Sequence, residues 1–232
     1  MKIFEFQAPV MFHTQLNPRL WRDEELRPEV RSKLVEIARE FIKFLRIDKL
    51  PLKDIIITGS MTNLTYTPHS DLDLHLIVNM DNVYGGGAMV EQMFDSKRRL
   101  WNKTYDLTLR GTPVEIYVED DEEQREGNSY SLITNQWLER RPLTQSGYND
   151  RSVRAKYQAL HRWIERMSER ADDPEDIDSI MRKLKQYRQA GLDAHGEFST
   201  ENLVFKSLRN NGDLEHLDMK RTELTNTKLS LD

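Results

Sequence analysis

Two apolar segments, IIIT at residues 55–58 and LDLHLIV at residues 72–78, constrain the fold of this chain more than any other feature. Side chains of a β-strand alternate between two faces, so Asp71, Asp73 and His75 share one face and the intervening leucines share the other. A carboxylate in a half-buried strand is costly unless positive charge meets it. The pattern therefore predicts a strand with an apolar face and an acidic face that is either wet or occupied by a cation.

The acidic face has the chemistry of a site for a hard metal ion. With a rise of about 3.4 Å per residue, the Cα atoms of Asp71 and Asp73 lie about 7 Å apart, so both carboxylates can converge on one or two cations. Mg²⁺ favours oxygen ligands and completes its shell with water and substrate phosphates. We expect a third carboxylate on a neighbouring strand. Glu115 in the segment PVEIYVE is the candidate, and Glu119, which shares its face, is the alternative.

The first part of the chain mixes helical and strand patterns. Apolar spacing and turn residues predict the following elements: helices at 28–46 and 88–102, strands at 54–58 and 71–78, a short helix or turn at 60–67, and a hairpin of 105–110 with 113–119 that turns at Gly111-Thr112. The glycine run at 85–87 lacks a following Lys-Ser/Thr, so we predict a loop there and no P-loop. We expect the acidic run at 119–126 to be a solvated loop.

The last part of the chain has helical patterns only. The predicted elements are a helix at 150–170, a helix with Asp173 as N-cap and Gly191 just past its end, a helix capped by Ser199 that runs through Leu208 and stops at Gly212, and a short helical or frayed tail at 213–232. We therefore predict two domains, a mixed α/β core at 1–140 and an all-helical domain at 150–232.

Composition excludes several classes of protein. The chain has 232 residues, a net charge of −5 and no cysteine, which excludes disulfides, zinc-thiolate sites and thiol nucleophiles. A negative net charge means that any polyanionic ligand must be met by a local basic patch or a bound metal. No apolar stretch is long enough for a signal peptide or a membrane span, so we predict a cytoplasmic protein with no membrane partner.

The order of these elements resembles the DNA polymerase β superfamily of nucleotidyltransferases. The resemblance rests on Thr58-Gly59-Ser60, a linker of ten residues, Asp71-Leu72-Asp73-Leu74, and a later apolar-Glu-apolar strand at Glu115. It covers about residues 27–120 and is strongest to the small members of that family. It implies an α+β (mixed α/β) fold, with a small nucleotidyltransferase core whose mixed sheet is flanked by helices, followed by the C-terminal all-helical domain.

The same resemblance implies roles for individual residues. Asp71 and Asp73 would bind Mg²⁺ or Mn²⁺ and, through it, an NTP substrate. Glu115 would bind the catalytic metal and help to deprotonate the acceptor hydroxyl. Gly59 and Ser60 would contact the β- and γ-phosphates. The reaction would be attack of a hydroxyl on the α-phosphate with release of pyrophosphate.

The linker after Gly-Ser, MTNLTYTPHS, departs from the family pattern. Many small members carry an arginine or glycine there, so here phosphate neutralisation must come from elsewhere. We assign Ser70, Arg154 and Lys156 to nucleotide binding as well, although the basic residues at 150–170 also fit a solvated, ion-paired helix surface. The segment GEFSTENLVFKSLRNNG at 196–212 resembles the C-terminal part of nucleotidyltransferase-like proteins carried by tailed phages, a likeness that brings no activity with it and would place the protein in a host cytoplasm.

These observations predict a metal-dependent nucleotidyltransferase that moves NMP, with ATP as the default donor, to a hydroxyl. The acceptor is open between an RNA or tRNA 3′ end, a protein side chain and a small molecule. The alternative is a catalytically degenerate nucleotidyltransferase fold that acts as a binding or regulatory module. A metal hydrolase fits less well because no histidine-rich ligand set lies near the acids. His75 either tunes the site or is a hydrogen-bonded strand residue.

Overall fold

A computed structural model describes residues 13–47, 49–83, 87–123, 127–140 and 150–230. These residues divide into two compact units, 13–140 and 150–230. We call them the sheet unit and the helical unit. The boundary between them falls within residues 141–149, which lie outside the described residues.

The sheet unit is built on a mixed six-stranded sheet with the strand order β5-β6-β4-β3-β7-β8. The acid-bearing strand β4 is antiparallel to β3 and parallel to β6. A separate pair, β1 with β2, precedes the sheet. The strands are β1 Trp21–Arg22, β2 Glu25–Leu26, β3 Leu52–Thr58, β4 Leu72–Val78, β5 Thr108–Leu109, β6 Thr112–Asp120, β7 Ser129–Ser131 and β8 Gln136–Glu139.

Two helices, α1 Pro28–Leu45 and α2 Gly87–Thr104, share one apolar core with the leucine face of β4. Leu72, Leu74 and Leu76 are fully buried in it. Burial of a leucine side chain contributes about 2 kcal/mol relative to exposure, so this face fixes which side of β4 points inward. The acidic face is thereby directed to the opposite side of the sheet, as the alternation predicts.

The free edge of β6 is covered by a side chain. Because β5 pairs only with Thr112 and Pro113, the rest of β6 has no partner strand on that side within the described part of the chain. Asn102 of α2 donates to the carbonyl of Ile116 (3.2 Å) and accepts from its amide (3.1 Å). The carboxamide satisfies the backbone where a strand would otherwise pair and ties α2 to the strand that carries Glu115.

The helical unit consists of α3 Asp150–Arg170, α4 Pro174–His195, α5 Thr200–Asn210 and α6 Asp213–Leu229. Two predicted caps are confirmed. The Asp173 carboxylate accepts from the amide of Glu175 (2.9 Å), and the Ser199 hydroxyl accepts from the amide of Asn202 (3.3 Å). Gly212 adopts a positive φ of 82° after α5, also as predicted.

The structure corrects the predicted end of α4. Gly191 is buried inside the helix, and the chain leaves α4 at Gly196, which has a positive φ of 71°. A Cβ at Gly191 would lie 2.4 Å from the Cβ of Glu201, so this glycine allows α4 and α5 to pack closely. A glycine that permits close helix packing and one that ends a helix look the same in a sequence.

Other differences lie in the loops and the tail. Residues 213–229 form a regular helix that buries Leu217, where we predicted a short or frayed tail. Strands β7 and β8 were missed because they are short. The acidic run begins inside β6, which extends to Asp120, and its residues 124–126 lie outside the described residues, as do 84–86 of the glycine loop.

Candidate metal and nucleotide site

Three carboxylates meet on the acidic face of the sheet. The parallel register of β4 and β6 places Glu115 directly beside Asp73, and Asp71 precedes β4 on the same face. One oxygen from each of Asp71, Asp73 and Glu115 lies within 4.8 Å of the others, and all three residues are partly buried. We call these residues the acidic triad. The sequence predicted this grouping, while the roles of the three acids stay predictions.

Two acids of the acidic triad lack compensation by basic side chains among the residues that the structure describes. Within the described ranges, Asp71 and Glu115 form no ion pair with a lysine, arginine or histidine. Three like charges at this separation repel one another and favour a cation among them. Oxygen ligands from three carboxylates suit Mg²⁺ or Mn²⁺, so the residues present fit a divalent metal.

Gly59 is required by the geometry of the acidic triad. Its φ of 76° lies in the region that other residues avoid. A Cβ at this position would lie 1.9 Å from Oδ2 of Asp73, a separation that no real side chain tolerates. The backbone at the end of β3 therefore passes directly against a carboxylate of the triad, which is possible only for glycine.

The turn that begins at Gly59 is held by polar side chains. The Gly59 carbonyl accepts from the Thr62 hydroxyl (2.8 Å) and from the Asn63 side chain (3.0 Å). Asn128, which precedes β7, donates to the Thr62 carbonyl and to the Asn63 side chain, both at 2.8 Å. Sequence analysis missed Asn128 because its contribution depends on β7, which brings residue 128 beside a turn more than sixty positions earlier.

Tyr117 holds the third carboxylate. Its hydroxyl donates to Oε2 of Glu115 at 2.5 Å. Burial raises the pKa of the Tyr117 hydroxyl, and so do its hydrogen bond to Glu115 and the negative charges of Glu115, Asp73 and Asp71. The phenol therefore stays protonated and remains a donor. The spacing of two residues on one face of β6 was the signal that sequence analysis left unused.

His75 is a hydrogen-bonded strand residue, and this is one of the two roles that the sequence left open. Its Nε2 lies 3.0 Å from the Thr58 hydroxyl and its Nδ1 lies 2.6 Å from Oε1 of Glu119. The imidazole also stacks on Tyr117, with 4.8 Å between ring centroids. Glu119, the alternative metal ligand, thus pairs with His75 and is not among the three acids that group together.

Two predicted serines lie near the acidic triad in sequence but differ in surroundings. Ser60 begins a 3₁₀ turn, Ser60–Thr62, and is partly buried. Ser70 is buried, and its hydroxyl accepts from the amide of Thr67 at 2.9 Å. The Ser70 side chain therefore shapes the turn that leads into Asp71. Nucleotide contact by either serine stays a prediction.

The two predicted cations belong to α3 of the helical unit. Arg154 pairs with Asp150 at 2.6 Å, and Lys156 pairs with Glu201 at 2.9 Å. The hydrogen bond that Lys156 donates to Glu201 raises the pKa of Lys156, so this amine stays charged. These pairs agree with an ion-paired helix surface, and a role in nucleotide binding stays a prediction.

Comparison with known proteins identifies the segment that holds the acidic triad. Residues 35–144 match the family model described as a nucleotidyltransferase domain. No curated protein matches the sequence significantly. A solved structure, the STING-associated CdnE c-di-GMP synthase from Capnocytophaga granulosa, matches with 14% identity over 88% of this chain and 83% of that chain, at a TM-score of 0.23. A likeness this low carries no argument about substrate or product.

The family match and the fold agree. The matched segment includes Gly59, Ser60 and the whole acidic triad, placed on a mixed sheet with flanking helices. Among the residues that the structure describes, no helix is long and apolar enough to cross a membrane. Residues 35–144, just under half of the chain, therefore match the nucleotidyltransferase domain family in sequence, and the fold of this segment agrees with that match.

Proposed function

We propose that this protein transfers NMP from an NTP, with ATP as the default donor, to a hydroxyl acceptor in a reaction that needs Mg²⁺ or Mn²⁺. The observation that carries the proposal is the acidic triad, whose oxygens lie within 4.8 Å of one another in a nucleotidyltransferase domain. The proposal includes a catalytic core at 1–140, a helical domain at 150–232 and a cytoplasmic location, which agrees with the lack of cysteine.

Asp71, Asp73 and Glu115 would hold the divalent metal. A bound divalent cation supplies positive charge that neutralises the triphosphate and makes the acceptor hydroxyl more acidic. The close approach of Gly59 to Asp73 supports this assignment, because it brings the backbone of the Gly-Ser turn to the edge of the acidic triad. There, Gly59 and Ser60 would contact the β- and γ-phosphates.

Side chains of β6 would take part in removing the proton from the acceptor hydroxyl. Tyr117 binds Oε2 of Glu115, which orients the carboxylate and leaves Oε1 to take the proton of the acceptor hydroxyl. The acceptor oxygen forms a bond to the α-phosphorus while the bond from that phosphorus to the bridging oxygen breaks. Pyrophosphate leaves with the electron pair. Arg154 and Lys156 are the proposed partners of the triphosphate in the helical unit.

The test is metal-dependent release of pyrophosphate. Purified protein is incubated with each NTP, Mg²⁺ or Mn²⁺, and one of three acceptor fractions: RNA including tRNA, protein, or small molecules. The Asp71→Ala/Asp73→Ala double variant removes two acids of the triad. The control is Asp106→Asn, which neutralises an exposed acid of the same unit. We expect release with one NTP and one fraction that the double variant loses and the control keeps. Equal release by the double variant would refute the proposal.

One observation favours a second candidate function. The linker at 61–70 holds no arginine or lysine, so the usual cation beside the Gly-Ser turn is missing from that segment. A degenerate nucleotidyltransferase fold that only binds nucleotide would explain this. Titration with ATP separates the two functions, because a binding module would take ATP with equal affinity in Mg²⁺ and in EDTA and would release no pyrophosphate.

A further inference from the structure

The helical unit contains a pair of arginines that the proposed function does not use. Arg188 lies on α4, and Arg209 lies near the end of α5, in the 196–212 segment. Both residues are exposed, and neither forms an ion pair with an acid of the described part of the chain. Two neighbouring positive charges without an acid between them have the character of an anion site.

Arg188 is held in one orientation by two residues of α5. Its Nε donates to Oδ1 of Asn202 at 3.0 Å, and Asn202 is only 1% exposed. The guanidinium carbon lies 5.0 Å from the ring centroid of Phe205. A guanidinium fixed at Nε and on one face loses little freedom when its remaining donors bind a ligand, and such preorganisation favours binding.

Arg209 brings a second charge to the same place. Asn202, Phe205 and Arg209 follow one another at i, i+3 and i+7 along α5, so Arg209 lies on the helix face that Arg188 contacts, one turn beyond Phe205. Partial desolvation lowers the pKa of Arg188 and the positive charge of Arg209 lowers it further, which agrees with this placement. Several other cations of this unit have acidic partners, as Arg221 does with Asp178 at 3.1 Å and Lys156 with Glu201 at 2.9 Å. An anion bound between Arg188 and Arg209 would relieve their repulsion.

We propose that Arg188 and Arg209 form a binding site for a phosphate group, positioned by Asn202 and Phe205. Guanidinium groups bind phosphate through paired, charge-assisted hydrogen bonds, and two of them supply enough positive charge for one phosphate group, whether diester or terminal. The phosphate belongs either to a nucleic acid backbone or to a free nucleotide. The inference goes beyond the proposed transfer reaction, since binding at this site needs neither the acidic triad nor catalysis.

The test measures binding by the full chain with two probes. A labelled single-stranded RNA 12-mer is followed by anisotropy at several salt concentrations, and ATP and inorganic phosphate are followed by calorimetry without metal. For Arg188→Gln/Arg209→Gln we expect about tenfold weaker binding of one probe. If that probe is RNA, the salt slope should also fall by about 0.7, since one backbone phosphate loses its contact. Arg162→Gln/Arg166→Gln, exposed residues of α3, removes the same charge and is the control.

A third variant separates binding from structure. Asn202→Asp keeps the side-chain shape and places a carboxylate on Arg188, so it should weaken binding of the same probe by a similar factor, and thermal unfolding of the variant checks that the fold is kept. Loss confined to RNA assigns the site to a nucleic acid backbone, and loss confined to ATP and phosphate assigns it to a free nucleotide. Equal loss in the control, unchanged binding in Asn202→Asp, or no binding of either probe by the wild type would each overturn the proposal. If Arg188→Gln/Arg209→Gln unfolds, Arg209→Gln alone takes its place.

Discussion

The acidic triad of the sheet unit and the ion-paired acids of the helical unit carry their negative charge in different surroundings. In the helical unit, acids such as Glu201, Asp178 and Asp150 each have a cationic side chain within about 3 Å. In the sheet unit, Asp71 and Glu115 face each other without such a partner among the described residues. Acids that the fold itself neutralises serve structure, whereas acids that it brings together and leaves uncompensated create a need for an external cation.

A pair of glycines shows the same contrast. A Cβ on Gly59 would clash with a carboxylate oxygen of Asp73, and a Cβ on Gly191 would clash with the Cβ of Glu201. The first contact keeps the backbone against the acidic triad, and the second keeps two helices together. Sequence alone marks both positions only as glycine, and the neighbouring atoms decide which of them is functional.

The largest expected effect comes from neutralising one acid of the triad. Asp73→Asn should lower nucleotidyl transfer by at least about a thousandfold, since metal stabilisation of the transition state is worth several kcal/mol. Without metal, the free energy of unfolding of the variant should lie within about 1 kcal/mol of the wild-type value. Saturating Mn²⁺ should raise the unfolding temperature of wild type and leave that of the variant unchanged. A variant that is still stabilised by Mn²⁺ would break the contrast between the units.

A matched pair of glycine substitutions gives the next largest effect. Gly59→Ala should destabilise the protein by about 3 kcal/mol and abolish Mn²⁺ binding, because it adds a clash with Asp73 to the strain of a positive φ. Gly212→Ala carries a similar φ of 82° with nothing within 4 Å, so only the strain applies. It should cost about 1 kcal/mol and leave Mn²⁺ binding intact. Chemical denaturation and Mn²⁺ titration measure both quantities.

Two tyrosines sharpen the contrast further. Tyr117→Phe removes the donor to Glu115 and should weaken Mn²⁺ binding about tenfold. Tyr157→Phe removes a hydroxyl whose pKa is raised by burial and by Asp213 in the helical unit. Tyr157→Phe should change the free energy of unfolding and leave the Mn²⁺ affinity unchanged. The readout is free Mn²⁺ measured by electron paramagnetic resonance, and equal Mn²⁺ affinity in the two variants would contradict the orienting role of Tyr117.

The smallest effect is expected at an ion pair of the helical unit. Glu201→Gln should cost about 0.5 kcal/mol at pH 7, because the pair with Lys156 is partly exposed and therefore screened by solvent. The hydrogen bond from Lys156 lowers the folded-state pKa of Glu201. Its contribution is therefore complete above the unfolded pKa of about 4.3 and disappears as the pH falls through the lower folded value. Urea titrations should show a smaller difference between variant and wild type at pH 3 than at pH 7, with Mn²⁺ binding at pH 7 the same in both.

Sequence predicted the parts of this fold that depend on local pattern. The alternation around Leu72, Leu74 and Leu76 determined which face of β4 is acidic, and it directed attention to Glu115 on a later strand. Caps such as Asp173 and Ser199 were also predictable, because a cap depends on residues within one helical turn.

The remainder depends on contacts between distant segments. Nothing near Asn128 indicates that it anchors the Gly-Ser turn, since that role exists only after β7 pairs with β3. The role of Gly191 likewise depends on Glu201 of the next helix. The short strands β7 and β8 carry too few residues for a periodic pattern, so pairing with the sheet defines them more than their own sequence does.

The acidic triad forms only when β4 and β6 pair in their native parallel register. Asp73 and Glu115 are 42 positions apart in the chain, and they meet only when the crossover through α2 has closed with the right alignment. A slip by one residue would turn Glu115 toward the apolar core and divide the three acids. A mispaired molecule would therefore bind no metal at this site and would have no activity on a nucleotide.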